Sequence, residues 1–374
     1  MKILVISNNY PSHKNPSHGI FVYKLIQKFV EQGHEATVIA PQKFRNIFKK
    51  SQSYGPEKAR VFRPLFPSFS AKQIVFFNTY LLSHWAQKIV IMRAVKNHRI
   101  DFDVVYSHFL HNAFISIEAL KKYQKPFITA LGESDNFNLT KSWFSCKRFN
   151  YLLKEIKGYI AVSEQIKEKL LSLHIPEFKI IIEPNATNLS IYNKGDKRIL
   201  RKKYYFPEDK FIVAFTGNFI ERKGPHRLLS AIEGLDNIGA MMIGGGPIKL
   251  KSKQILFKQR VPNHIVHELL NCADVFVLPT RHEGSSNAII EAMACGLPII
   301  SSDIPEISSQ CDPSFSILVD PMDIDSIRRA ILTIFNDPGL RDSMSKNALA
   351  WSRKFDLNQR AARILDFIST FVNE

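Results

Sequence analysis

Val275-Phe276-Val277-Leu278 is a run of four apolar residues that leads, through Pro279-Thr280-Arg281-His282, into Glu283-Gly284-Ser285-Ser286-Asn287-Ala288-Ile289-Ile290-Glu291. The apolar run predicts a short buried strand, and the pattern after it predicts a helix over 287–295. Glu283 and the amides that follow it then stand at the carboxyl end of a strand, where open α/β sheets bind ligands. The helix opens with its positive end there, and its unpaired N–H groups suit a phosphate. Glu291 lies four residues beyond Asn287, on the same helical face.

The same strand–helix alternation extends in both directions. Further strands are expected at 211–216, 238–243 and 298–301, with helices at 224–233, 264–271 and 323–335. An earlier series reads as strands at 2–7, 36–40, 104–107, 126–130 and 159–162. The helix at 19–32 has Val22, Leu25, Ile26, Phe29 and Val30 on one stripe, and Ser163 is a plausible N-cap for another running through Leu170. Strands alternating with helices imply βαβ units and mostly parallel sheets. The expected fold class is α/β, with two Rossmann-like doubly wound domains facing across a cleft, separated by a polar connection near 186–197. No Gly-x-Gly-x-x-Gly follows the first strand and no Gly-x4-Gly-Lys-Ser/Thr occurs, so ordinary dinucleotide and P-loop sites lack their signatures.

With 374 residues, 45% hydrophobic and 23% charged, the chain is long enough for two globular domains. Its four cysteines are scattered with no Cys-x-x-Cys pair, which fits a reducing cytosol and not a disulfide framework. The first apolar run ends at Asn8-Asn9-Tyr10-Pro11 and reads as a strand rather than a signal peptide. No run approaches the roughly 18–20 apolar residues of a spanning helix. The expected location is cytoplasmic, with the inner face of the cell membrane as a peripheral site.

The net charge of +17 is unevenly spread: residues 1–200 hold 30 Lys/Arg against 14 Asp/Glu, and residues 201–374 hold 21 against 20. A basic half-molecule points to an anionic partner or to a solvated lysine-rich surface. Residues 43–99 interleave basic residues with Phe44, Ile47, Phe48, Phe62, Phe66, Phe69, Phe76, Phe77 and Trp85. That pattern suits an anionic membrane surface, or equally a packed helix over 71–97 with a basic outer face. His108 and His111, like His264 and His267, have i, i+3 spacing without an evident third ligand, so no metal site is expected. His108, after a strand, reads as an acceptor contact or as a core histidine.

Two features add chemistry. Arg222-Lys223 end a strand-to-helix loop just before Gly224, so two cations meet a helix N-terminus and make a good anion site. Glu283 and Glu291 suit sugar hydroxyls, because carboxylate oxygens accept charge-assisted hydrogen bonds. Spacing alone would equally describe two surface glutamates. Their context decides: Glu283 to Glu291, followed by Ala292-Met293-Ala294-Cys295-Gly296-Leu297-Pro298, resembles the E-x7-E segment of retaining GT-B glycosyltransferases of the family 4 type. Gly19, Gly33-His34-Glu35, Ala161-Val162-Ser163-Glu164, Pro184-Asn185, Gly217 through Gly224, Gly244-Gly245-Gly246-Pro247 and Ala273 through Pro279 resemble that family's landmarks in order.

The resemblance implies a retaining, metal-independent transfer of a sugar from a UDP- or GDP-linked donor to a hydroxyl of a glycan or lipid-linked glycan, in surface polysaccharide synthesis. It implies no cofactor beyond the nucleotide-sugar co-substrate and no nucleic-acid partner. Residues 1–186 would bind acceptor and residues 187–355 the nucleotide sugar, with the helix at 356–374 packing back on the first domain. Arg222, Lys223 and Glu283 would be catalytic. Gly19, Gly132, Gly217, Asn218, Ser285, Ser286, Asn287, Ala288 and Glu291 would hold the donor, and His108, Glu133 and Asp135 the acceptor. Leu131 stands where many relatives have His or Arg, so Glu133, Ser134 or Asp135, or backbone groups, would substitute. Asn218 replaces a frequent arginine, and the segment between Gly246 and Val261 is a helix short. The competing readings are an inactive GT-B scaffold and a nucleotide-sugar epimerase or hydrolase.

Overall fold

The computed structural model describes residues 1–12, 15, 18–44, 58–69, 73–74, 77–132 and 144–372. Chain contacts divide it into two compact units, residues 1–184 with 358–374, and residues 185–357.

Unit 1 is built on strands β1 (Lys2–Ile6), β2 (Glu35–Ile39), β3 (Arg60–Phe62), β4 (Val104–His108), β5 (Phe127–Leu131), β6 (Ile156–Ala161) and β7 (Ile180–Ile182). They pair in the order β7-β6-β5-β4-β1-β2-β3, every pair parallel. Ile3–Ile6 and Val104–Ser107 are buried without alternation, as parallel strands covered on both faces must be. The covering helices include α1 (Ile20–Glu31), α2 (Tyr80–Asn97), α3 (Leu110–Leu120), α4 (Cys146–Glu155) and α5 (Glu164–Ser172).

Unit 2 opens with α6 (Lys197–Lys203) and has strands β8 (Phe211–Asn218), β9 (Ile238–Gly245), β10 (Ile255–Gln259), β11 (Val275–Leu278), β12 (Ile299–Ser302) and β13 (Ser316–Val319). Their order is β10-β9-β8-β11-β12-β13, again parallel throughout. This is the 3-2-1-4-5-6 order of the doubly wound fold, which reverses direction between β8 and β11. Helices α7 (Pro225–Ile232), α8 (Asn263–Leu270), α9 (Asn287–Ala294), α10 (Pro305–Ser308), α11 (Ile324–Asn336) and α12 (Pro338–Ser352) connect and flank the strands. Residues 246–254 cross from β9 to β10 without a helix, which accounts for the shortness seen in the sequence.

The last helix, α13 (Leu357–Val372), joins unit 1 from Asn358 onward. Arg363 grips both carboxylate oxygens of Glu183 at 2.7 and 2.9 Å, and Gln32 donates to the carbonyl of Asn358 at 2.8 Å.

Two local expectations change. The helix expected from residue 71 starts at Tyr80, preceded by an antiparallel pairing of Gln73–Ile74 with Phe77–Asn78. Ser163 occupies the N-cap of α5, but its hydroxyl makes no cap bond and is buried without a partner among the described residues. Asp323 does cap α11, accepting from the amides of Asp325 and Ser326 at 3.0 Å each.

Candidate active site

In unit 2 the loops after β8, β9, β11 and β12 leave the same edge of the sheet. Gly217 and Gly244 sit directly opposite one another on β8 and β9. A Cβ on Gly244, whose φ is +149°, would lie 1.9 Å from the carbonyl oxygen of Gly217. Only glycine lets those strand ends approach so closely.

The loop after β8 brings in Arg222 and Lys223 and ends at Gly224, the N-cap of α7. Arg222 donates from Nη1 to the carbonyl of His282, and its own carbonyl accepts from the amide of Arg281 at 2.9 Å. Lys223 Nζ forms a salt bridge with Glu283 Oε1, whose side chain is only 3% exposed. Burying that carboxylate would be costly without a cation, and Lys223 supplies one. The sequence-derived trio Arg222, Lys223 and Glu283 is thus one cluster.

The loop after β11 is fixed by side chains from distant segments. Asn185 donates its amide to Ser285 Oγ at 3.0 Å and its side chain to the Ser285 carbonyl at 2.8 Å. Gln310 donates to Ser285 Oγ and accepts from the Ser286 amide, both at 2.8 Å. The Ser286 N–H, expected to support a diphosphate, is therefore spent within the protein. The amides of Asn287 and Ala288 open α9 and cannot have intrahelical partners. Glu291 is buried one turn deeper, beside Tyr192. Burial, then the Glu291 carboxylate, pushes the Tyr192 hydroxyl well above its ordinary range. Asn218 ends β8 on the exposed side of the same edge.

The remaining sequence-derived residues belong to unit 1. Gly19 caps α1 with φ 68°, and a Cβ there would stand 2.1 Å from the carbonyl oxygen of Asn9. Gly132 follows β5 and is buried, with the ring of Phe109 3.5 Å from where its Cβ would be. His108 is 4% exposed, packed among Phe21, Tyr106 and Phe109, and burial followed by the nearby Arg360 pushes its imidazole down to about 3. It is a neutral core histidine in this structure, not an exposed contact. Glu133, Ser134 and Asp135 lie outside the described residues, as do Ile47, Phe48 and Phe76.

Sequence reasoning missed Gln310, the paired roles of Asn185, and the contact of His282 with Glu306. None is signalled by local spacing, since each joins segments brought together only by folding.

Residues 18–191 match the family Glycosyltransferase Family 4, and residues 196–351 match Glycosyl transferases group 1. The chain belongs to the glycosyltransferases. This glycosyltransferase is 27% identical over 355 residues to the putative teichuronic acid biosynthesis glycosyltransferase TuaC of Bacillus subtilis, covering 88% of each chain. It is 24% identical over 221 residues to the capsular polysaccharide biosynthesis glycosyltransferase CapM of Staphylococcus aureus, covering 53% of this chain and 58% of that one. Its fold matches sucrose-phosphate synthase from Thermosynechococcus elongatus with a TM-score of 0.77 at 17% identity, over 99% of this chain and 98% of that one. Anabaena HepE in complex with UDP and glucose matches with a TM-score of 0.73 at 16% identity, over 99% of both chains. These GT-B structures share the two Rossmann-like α/β domains with parallel sheets.

Proposed function

We propose that the glycosyltransferase moves a sugar from a UDP- or GDP-linked donor to a hydroxyl of a glycan or lipid-linked glycan, with retention at the anomeric carbon and without a metal. Unit 2 holds the donor and unit 1 the acceptor. The observation that carries the reading is the Lys223–Glu283 pair beside Arg222, next to the α9 N-terminus. As the donor bond breaks, negative charge grows on the diphosphate. Arg222, Lys223 and the Asn287 and Ala288 amides are preorganised to stabilise it. Glu283 accepts hydrogen bonds from hydroxyls of the transferred sugar, and Glu291 from the ribose. The leaving phosphate takes the acceptor's proton, so Leu131, which is apolar and fully buried, need not act as a base.

Structures of HepE with UDP and with UDP-glucose support a nucleotide-sugar donor. The names of TuaC and CapM support a role in surface polysaccharide synthesis. A cytoplasmic site at the inner membrane face is part of the proposal. No described helix is long and apolar enough to cross a membrane. On α2, Leu82 and Trp85 are 39% and 62% exposed, in line with half-buried Ile89 and Met92 and beside Lys88, Arg93 and Lys96. An apolar stripe edged by cations suits an anionic lipid surface.

The deciding experiment screens UDP- and GDP-sugars by thermal shift, since a ligand that binds only the folded state raises Tm. The best donor is then incubated with membrane glycolipid extract. Release of nucleoside diphosphate only when acceptor is present, insensitivity to EDTA, and a product with the donor's anomeric configuration are expected. Donor turnover without acceptor would replace the reading with a hydrolase or epimerase.

A further inference from the structure

The residue before Glu283 is not a bystander. His282 is held by its backbone: its carbonyl accepts from Arg222 Nη1 and, at 3.1 Å, from Thr280 Oγ1. Its imidazole Nδ1 lies 3.0 Å from Oε1 of Glu306, in the first turn of α10 after β12. The Glu306 side chain is 16% exposed and that of His282 is 56% exposed. Among the described residues, Nε2 of His282 has no hydrogen-bond partner.

Two side chains therefore meet carboxylates on successive residues of one loop, in one buried pair (Lys223–Glu283) and one more exposed pair (His282–Glu306). A carboxylate against one ring nitrogen fixes the ring's orientation and tautomer and leaves the other nitrogen to meet a ligand. The flanking charges say what kind of ligand. The Glu306 carboxylate lies against the ring, a poor setting for phosphate. The Arg222–Lys223 cations and the α9 amides already make the anion site. A sugar hydroxyl both donates and accepts, and carboxylate neighbours do not repel it.

We propose that His282, oriented by Glu306, is a specificity-determining residue for the transferred sugar, its Nε2 meeting a hydroxyl of that sugar. Glu306 is a positioning residue acting through the imidazole. This rests on the donor-site reading above, and the test separates the two. Calorimetric titration of the full chain with UDP, GDP, UDP-glucose, UDP-galactose, UDP-N-acetylglucosamine and GDP-mannose identifies the tightest nucleotide sugar and its parent diphosphate.

His282→Ala is expected to weaken the nucleotide sugar about three- to tenfold, the worth of one hydrogen bond, and to leave the diphosphate within twofold. Glu306→Ala should follow it, whereas Glu306→Gln, which keeps an acceptor for Nδ1, should retain most of the sugar affinity. Equal weakening of sugar and diphosphate, or no change in either, overturns the assignment while the donor site stands. If neither nucleotide nor nucleotide sugar binds the wild-type chain, the donor-site reading fails and this one falls with it.

Discussion

Units 1 and 2 wind their strands in the same order, yet they differ in the polar groups they bury. Unit 2 buries charge in pairs. Arg201, 5% exposed, donates to the carbonyls of Cys272, Pro207, Glu208 and Lys210 and to Asp274 Oδ2 at 2.6 Å. Asp274 also accepts from the amide of Ile212 and from Lys197, each at 2.7 Å, tying the starts of β8 and β11 together. Unit 1 pairs buried Glu183 with Arg363 in the same way, and adds buried imidazole rings. His108 and His111 are pushed down to about 3, burial being the largest cause for both. Paired charge of this kind fixes local geometry, while buried rings fill a core.

The sharpest way to break this contrast is to remove a paired charge. Arg201→Met leaves Asp274 with Lys197 and the Ile212 amide but removes its buried guanidinium, and should cost unit 2 about 3–5 kcal/mol. Arg148, which pairs with Glu118 in unit 1 but is 44% exposed, should cost about 1 kcal/mol or less as Ala. Urea unfolding followed by hydrogen exchange in each unit measures both. Equal losses would mean the two units do not differ in this respect.

Next in size is the paired charge placed for chemistry. Lys223→Ala should lower kcat by roughly 10²–10³, about 3–4 kcal/mol of transition-state stabilisation, and should also lower Tm because Glu283 is left buried without its cation. Near-normal turnover would remove Lys223 from the machinery and make its bond to Glu283 a purely structural one.

How far these differences could be read in the sequence depends on where the information sits. β11 coincides with the expected 275–278, because four apolar residues lie between Asp274 and Pro279. β10 went unread because Ile255–Gln259 is half exposed and ends in Lys258-Gln259, so no buried run marks it. β3 and β7 are only three residues long, too short for a period to show. Arg222, Lys223 and Glu283 were legible from their loops, since a strand end followed by a helix start places them regardless of detail. Gln310 was not, because nothing near it in the chain announces a hydrogen bond to Ser285, 25 residues away. The burial of His108 was also hidden: its position at the end of a strand fits a ligand contact and a core ring equally.

The neutral rings of unit 1 predict a pH response. An ordinary histidine titrates near 6.5, so below that pH the unfolded chain takes up protons that folded His108 and His111 refuse until about 3. Their contribution is fully present above 6.5 and is lost as pH falls toward 3, at about 1.4 kcal/mol per pH unit for each. Unit 1 should lose stability between pH 6.5 and 4.5, before carboxylates titrate, and His108→Leu should roughly halve that slope. A slope unchanged by the substitution would mean that His108 takes its proton in the folded state.

The smallest expected effect bears on the surface of unit 1. Trp85 is 62% exposed on a helix whose inner face already supplies Ile91, Ala94 and Val95 to the core. Removing the indole should therefore leave stability nearly unchanged. If the stripe lies on lipid, Trp85→Ser should weaken binding to vesicles rich in phosphatidylglycerol by about tenfold, the worth of part of a buried aromatic. Lys96→Gln should weaken it about fivefold at low salt, near 1 kcal/mol for one basic residue at an anionic surface. The second effect should fade as salt shortens the Debye length and the first should persist, because apolar burial is not screened. Loss of both together with rising salt would reduce the stripe to a charged surface. Neither loss at any salt would leave Trp85 without a lipid role and return unit 1's excess charge to solvation.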